Sequence, residues 1–75
     1  MWRPVIEWRE ISGQWVGRCG KRDVVVVEPD NQGFAWWMTY TNDDGQRKTL
    51  KAAKAEAERE FAKQVRYLEL EGEND

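Results

Sequence analysis

Cys19 lies among Arg18, Lys21 and Arg22, and cations this close favour the nucleophilic thiolate. The chain has no histidine, so neither a Cys–His nor a Ser–His–Asp arrangement can be built. Without a partner base, Cys19 reads as a small residue in a strand. Gly17-Arg18-Cys19-Gly20-Lys21 has the flavour of a phosphate loop, but it is too short and lacks Ser or Thr after the lysine. Two carboxylate pairs, Glu28/Asp30 and Asp43/Asp44, could serve acid–base chemistry or hold Mg²⁺ or Ca²⁺. Both sit in segments rich in Asn and Gly, where Asp forms turns, and neither matches a calcium-loop pattern. The expectation is a protein that is not an enzyme, with no catalytic residue, no metal and no cofactor.

The chemistry that remains is recognition. Five tryptophans, Trp2, Trp8, Trp15, Trp36 and Trp37, occupy a chain of 75 residues. A domain of this size buries only about 60% of its unfolded surface, so some of these rings must meet solvent or a partner. Two basic groups, Lys21/Arg22 and Arg47/Lys48 with Lys51 and Lys54, could combine with exposed aromatics to grip single-stranded nucleic acid. No RNP-type pattern accompanies them, and the net charge is −2, so nucleic acid is the weaker partner class.

The elements that would carry these residues follow from periodicity. Val5–Ile11 alternates as a strand, with Ile6 and Trp8 on one face and Glu7 and Arg9 on the other. Ser12-Gly13 is a turn, and Gln14–Cys19 the second strand. Gly20–Asp23 turns again, and Val24–Val27 is a strand buried on both faces. Glu28–Gly33 reads as a loop, Phe34–Thr41 as the fourth strand, and Asn42–Gly45 as the end of the sheet. Short connections favour an antiparallel meander. From Thr49, a candidate N-cap, the period changes: Leu50, Ala53, Ala57, Phe61, Val65 and Leu68 form one helical stripe running to about Leu70.

The fold class expected is therefore α+β: a four-stranded antiparallel meander and one C-terminal helix on one sheet face. Residues 1–70 make a single domain and 71–75 a short acidic tail. One cysteine permits no internal disulfide, which suits a reducing cytoplasm, and no apolar run approaches a membrane span. One helix covers one sheet face only. Phe34, Trp36, Met38 and Tyr40 are assigned inward, to meet Phe61 and Leu68. Ala35, Trp37, Thr39 and Thr41 are assigned outward, with Trp15 or Val16 beside them. The expected partner-binding residues are Trp37, Trp15, Trp2, Thr39 and Thr41; Lys21, Arg22, Arg47 and Lys48 are the candidate nucleic-acid contacts.

Gly13-Gln14-Trp15-Val16, then Gly33-Phe34-Ala35-Trp36-Trp37, then Thr49-Leu50-Lys51-Ala52-Ala53-Lys54-Ala55-Glu56-Ala57-Glu58 resembles small phage- and prophage-encoded proteins, Trp-tipped meanders closed by an Ala/Lys/Glu helix. The resemblance covers most of the chain. It implies a protein that binds and inhibits a host protein, such as a CRISPR–Cas or other defence component, in the host cytoplasm. A second resemblance is to the arm-DNA-binding domain of tyrosine recombinases, where a strand, a turn like Asp44-Gly45-Gln46-Arg47-Lys48 and a helix follow in order. It implies DNA binding; that family usually carries a further strand before its helix and is basic. Protein binding is the leading function class, with nucleic-acid binding and self-association into a homodimer as alternatives.

Overall fold

The computed structural model describes residues 5–72. Five strands precede one helix: β1 Glu7–Ile11, β2 Gln14–Cys19, β3 Arg22–Asp30, β4 Gly33–Met38, β5 Asp44–Arg47 and α1 Leu50–Gly72. The strands form one antiparallel sheet in chain order, the expected meander. The first hairpin closes with Ser12 (φ 52°) and Gly13 (φ 85°), both left-handed. Such a two-residue turn matches the twist of the flanking strands.

The sheet has five strands, not four. Asp44–Arg47 pairs with β4 from Phe34↔Arg47 to Trp37↔Asp44. Asp44, Gly45, Gln46 and Arg47 carry no apolar alternation, so nothing local marks them as a strand. A tertiary contact holds them. The Trp36 indole lies so close over Gly45 that a Cβ there would meet Nε1 at 2.6 Å and Glu56 Oε1 at 2.7 Å.

Several boundaries also move: β1 begins at Glu7 rather than Val5, and β3 begins at Arg22, inside the segment read as a turn. Strand β3 continues through Pro29 and Asp30, which the sequence pattern places in a loop. Pro29 pairs with Phe34 on β4, and its missing N–H points to the side where β2 has already ended. Strand β4 stops at Met38, so Thr39, Tyr40 and Thr41 lie in a bend outside the ladder. There Met38 N–H donates to Asp43 O and Thr39 N–H to Val24 O, both at 3.0 Å. Val24 itself is the residue left unmatched where the β2–β3 register shifts, and it is buried.

The core is small. Val25 and Val27 of β3 are fully buried beside Trp36 and Met38, and Ala53, Ala57 and Phe61 of α1 close over them. Each buried valine contributes on the order of 1.5–3 kcal/mol. The two alanines let the helix sit close to the sheet. Thr49 caps it: Ala52 N–H donates to Thr49 Oγ1 at 3.1 Å. Glu60 and Lys63 pair at 3.1 Å along its outer side. The helix runs to Gly72, two residues past the expected end and into the segment read as tail. The side chains of Val65 and Leu68 lie outside those described.

The helix lies over β3, β4 and β5. The β1–β2 side is covered by side chains instead. Lys54 reaches across to place Nζ 5.3 Å from the Trp8 ring and 5.9 Å from the Trp15 ring, and Trp8 Nε1 donates to Glu58 at 2.6 Å.

Candidate functional site

Strand alternation sends Trp8, Trp15, Val25, Val27, Phe34 and Trp36 towards the helix and their neighbours to the open face. The register lines those neighbours into rows. One row crosses all five strands: Arg9↔Val16↔Val26↔Trp37↔Asp44. A second runs Ile11↔Gln14, then Glu28↔Ala35↔Gln46, with Gln14 Nε2 donating to Glu28 at 2.7 Å. The centre of the face is thus Val16, Val26, Ala35 and Trp37, all half-buried. Arg9 stands at one edge and Asp44 at the other.

Of the expected partner-binding residues that are described, only Trp37 belongs to this surface. Trp15 sits on the helix side, edge-on to Phe34 with ring centres 6.0 Å apart. Val16, its neighbour, takes the open-face place. Thr39 and Thr41 leave the ladder. Thr39 Oγ1 donates to Asp23 O at 2.7 Å, and Thr41 Oγ1 donates to Asp43 at 2.9 Å. Trp2 lies outside the described residues. Sequence reading missed Arg9 and Asp44 as flanks of Trp37. Arg9 was legible from β1 alternation; Asp44 was not, because β5 was not.

Tyr40, assigned inward, is 41% exposed at the sheet's end. It still packs edge-on to Phe61 at 6.3 Å and donates its hydroxyl to Gln64 at 2.8 Å. Burial against this corner, with Asp43 and Cys19 near, pushes its pKa up.

The basic groups stand apart. Lys21 lies in the turn before β3 and Arg22 begins that strand, whereas Arg47 pairs beside the Asp30–Gly33 turn at its other end. Eight residue steps of strand separate the two ends, roughly 27 Å. Arg47 is also engaged: its guanidinium binds Glu56, with Nε donating at 2.8 Å. Lys48 and Arg47 line an open groove of about 720 Å³ with Gln32, Gln46, Thr49 and Ala52.

Asp30 and Asp43, one from each expected acid pair, serve local structure. Asp30 accepts from Gln32 N–H at 2.8 Å and from Gln46 at 2.8 Å; Asp43 accepts from Thr41 and from Gln64. Among the described residues no three His, Cys, Asp or Glu side chains gather as a metal site would need. No helix among them is long and apolar enough to cross a membrane.

Comparison with protein-family models, curated proteins and solved structures finds no match to this chain.

Proposed function

We propose that this domain is a non-catalytic protein-binding module whose contact surface is the open sheet face around Trp37. The observation that carries the reading is the five-strand row. An apolar centre of Val16, Val26 and Trp37 is bounded by one cation and one anion and is not used by the domain's own helix. Protein interfaces favour this layout, an aromatic anchor in an apolar patch with a polar rim. The resemblance to phage-encoded proteins adds the class of activity: inhibition of a host defence protein by occlusion.

The test compares the chain with its Trp37→Ala variant, each immobilised and exposed to a host lysate. The expected result is a protein retained by the first and lost by the second while both melt alike. Equal retention by both removes Trp37 from the site.

A second reading, DNA binding, draws on one observation. Strand β5 stands immediately before the helix, as in recombinase arm-binding domains, where the sequence pattern shows no strand. The separation of the basic groups and the Arg47–Glu56 pair weigh against it.

A further inference from the structure

We propose that two copies of this chain pair through the outer edge of β1, antiparallel and centred on Trp8. This surface is distinct from the Trp37 face. Among the described residues, strand β1 ends the sheet and the helix lies over β3–β5, leaving the β1 edge clear. A bare edge strand is a template for another strand.

Backbone geometry identifies the groups on offer. Ile11 and Gln14 close the two-residue turn as a hydrogen-bonded pair, so the N–H and C=O of Ile11, Arg9 and Glu7 point to β2. Those of Ile6, Trp8 and Glu10 point away from the sheet. Antiparallel pairing about Trp8 matches Trp8 with Trp8 and Ile6 with Glu10, so every outward group meets an outward group.

Side chains select the same register. Val5 and Ile11 are large apolar side chains left 73% and 46% exposed. Both belong to the open-face side, three residues either side of Trp8. Pairing about Trp8 sets Val5 against Ile11 of the second copy and Glu7 against Arg9, each twice by symmetry. Sliding so that Glu7 is central puts Glu7 against Glu7; making Arg9 central puts Arg9 against Arg9. Like charges directly opposite are repulsive, so of these three registers only the one centred on Trp8 is free of them.

The two-fold axis of such a pairing runs perpendicular to the sheet. Both helices then lie on one side of a ten-stranded sheet, and both Trp37 faces join on the other.

Sedimentation of the full chain over a concentration series tests this. The chain should dimerise, and Glu7→Arg or Arg9→Glu alone should weaken the dimer about tenfold or more, two attractive pairs becoming repulsive. An equimolar mixture of the two variants should restore it, since each then meets opposite charge. Glu10→Pro should also give monomers, because its N–H faces away from β2 and its loss leaves the hairpin ladder intact. Thermal melts identify any variant that fails to fold. Trp37→Ala should dimerise like the unaltered chain, whatever it does to binding of other proteins. A chain that stays monomeric at submillimolar concentration overturns the proposal, its edge then being left for a foreign strand. So does a dimer indifferent to all three β1 variants.

Discussion

The indole N–H of Trp36 donates to the Glu56 carboxylate at 2.7 Å, joining the middle of β4 to the helix. The other carboxylate oxygen takes the Arg47 guanidinium from β5. One side chain thereby holds three elements together, and Trp36 is only 3% exposed beneath it. Replacing Glu56 by Ala leaves a covered indole donor without an acceptor and should cost about 1–3 kcal/mol. Glu56→Gln keeps an acceptor and loses the charge, and should cost about 0.5–1 kcal/mol. Urea unfolding of the two variants separates these contributions.

The same contacts set an acid dependence. The hydrogen bond from Arg47, then that from Trp36, holds the Glu56 carboxyl below its ordinary value of 4.5. A lowered folded-state pKa contributes stability above the unfolded value, and that contribution is lost as pH falls through the folded value. Stability should therefore fall as the pH drops below about 4.5, and the fall should be shallower for Glu56→Gln. On the alkaline side the raised Tyr40 value acts in the opposite sense. Its contribution is present below the unfolded value and lost as pH rises through the folded one. Unfolding curves at several pH values, with Tyr40→Phe as control, check both limbs.

Among the described residues, Phe61 is the largest side chain the helix places in the core. Phe61→Ala should cost about 3–5 kcal/mol, a large part of the stability of so small a domain. An unchanged melting temperature would falsify the packing described.

Trp36 and Trp37 are adjacent and should behave oppositely. Trp36→Ala removes a core ring and the donor to Glu56, and should cost about 3–5 kcal/mol. Trp37→Ala clears a half-buried ring from the open face and should cost about 1 kcal/mol while losing partner binding at least thirtyfold. Two thermal melts and one binding assay make the comparison; a reversed order inverts the assignment of the sheet's faces.

With its basic groups at opposite ends of β3, the domain should bind duplex or single-stranded DNA no tighter than about 10⁻⁵ M at physiological salt. A titration showing submicromolar affinity with a steep salt slope would place the DNA reading first.

Much of the fold was written in local pattern. Ser12-Gly13 announced its hairpin and the Leu50–Ala53–Ala57–Phe61 stripe and Thr49 cap their helix; Val24–Val27 announced a strand, though one left half-open on its Val26 face rather than buried on both. Each is a property of neighbouring residues that periodicity or turn chemistry exposes. Trp36 inward and Trp37 outward followed from alternation once the helix was given one face. Of the candidate site, Trp37 was legible from β4 alternation and Arg9 from that of β1; Val16 stood only as the alternative to Trp15, and Asp44 was hidden with β5.

What the sequence alone determined, then, was the class of each strongly patterned element and the sides of β4. Only the tertiary structure decided that Asp44–Arg47 is a strand, since its stability comes from the β4 ladder and from the Trp36 indole on Gly45. It also decided that Trp15 lies with the helix while Val16 joins Trp37. Face is set by register with β3, and register is a relation between strands that no single strand contains.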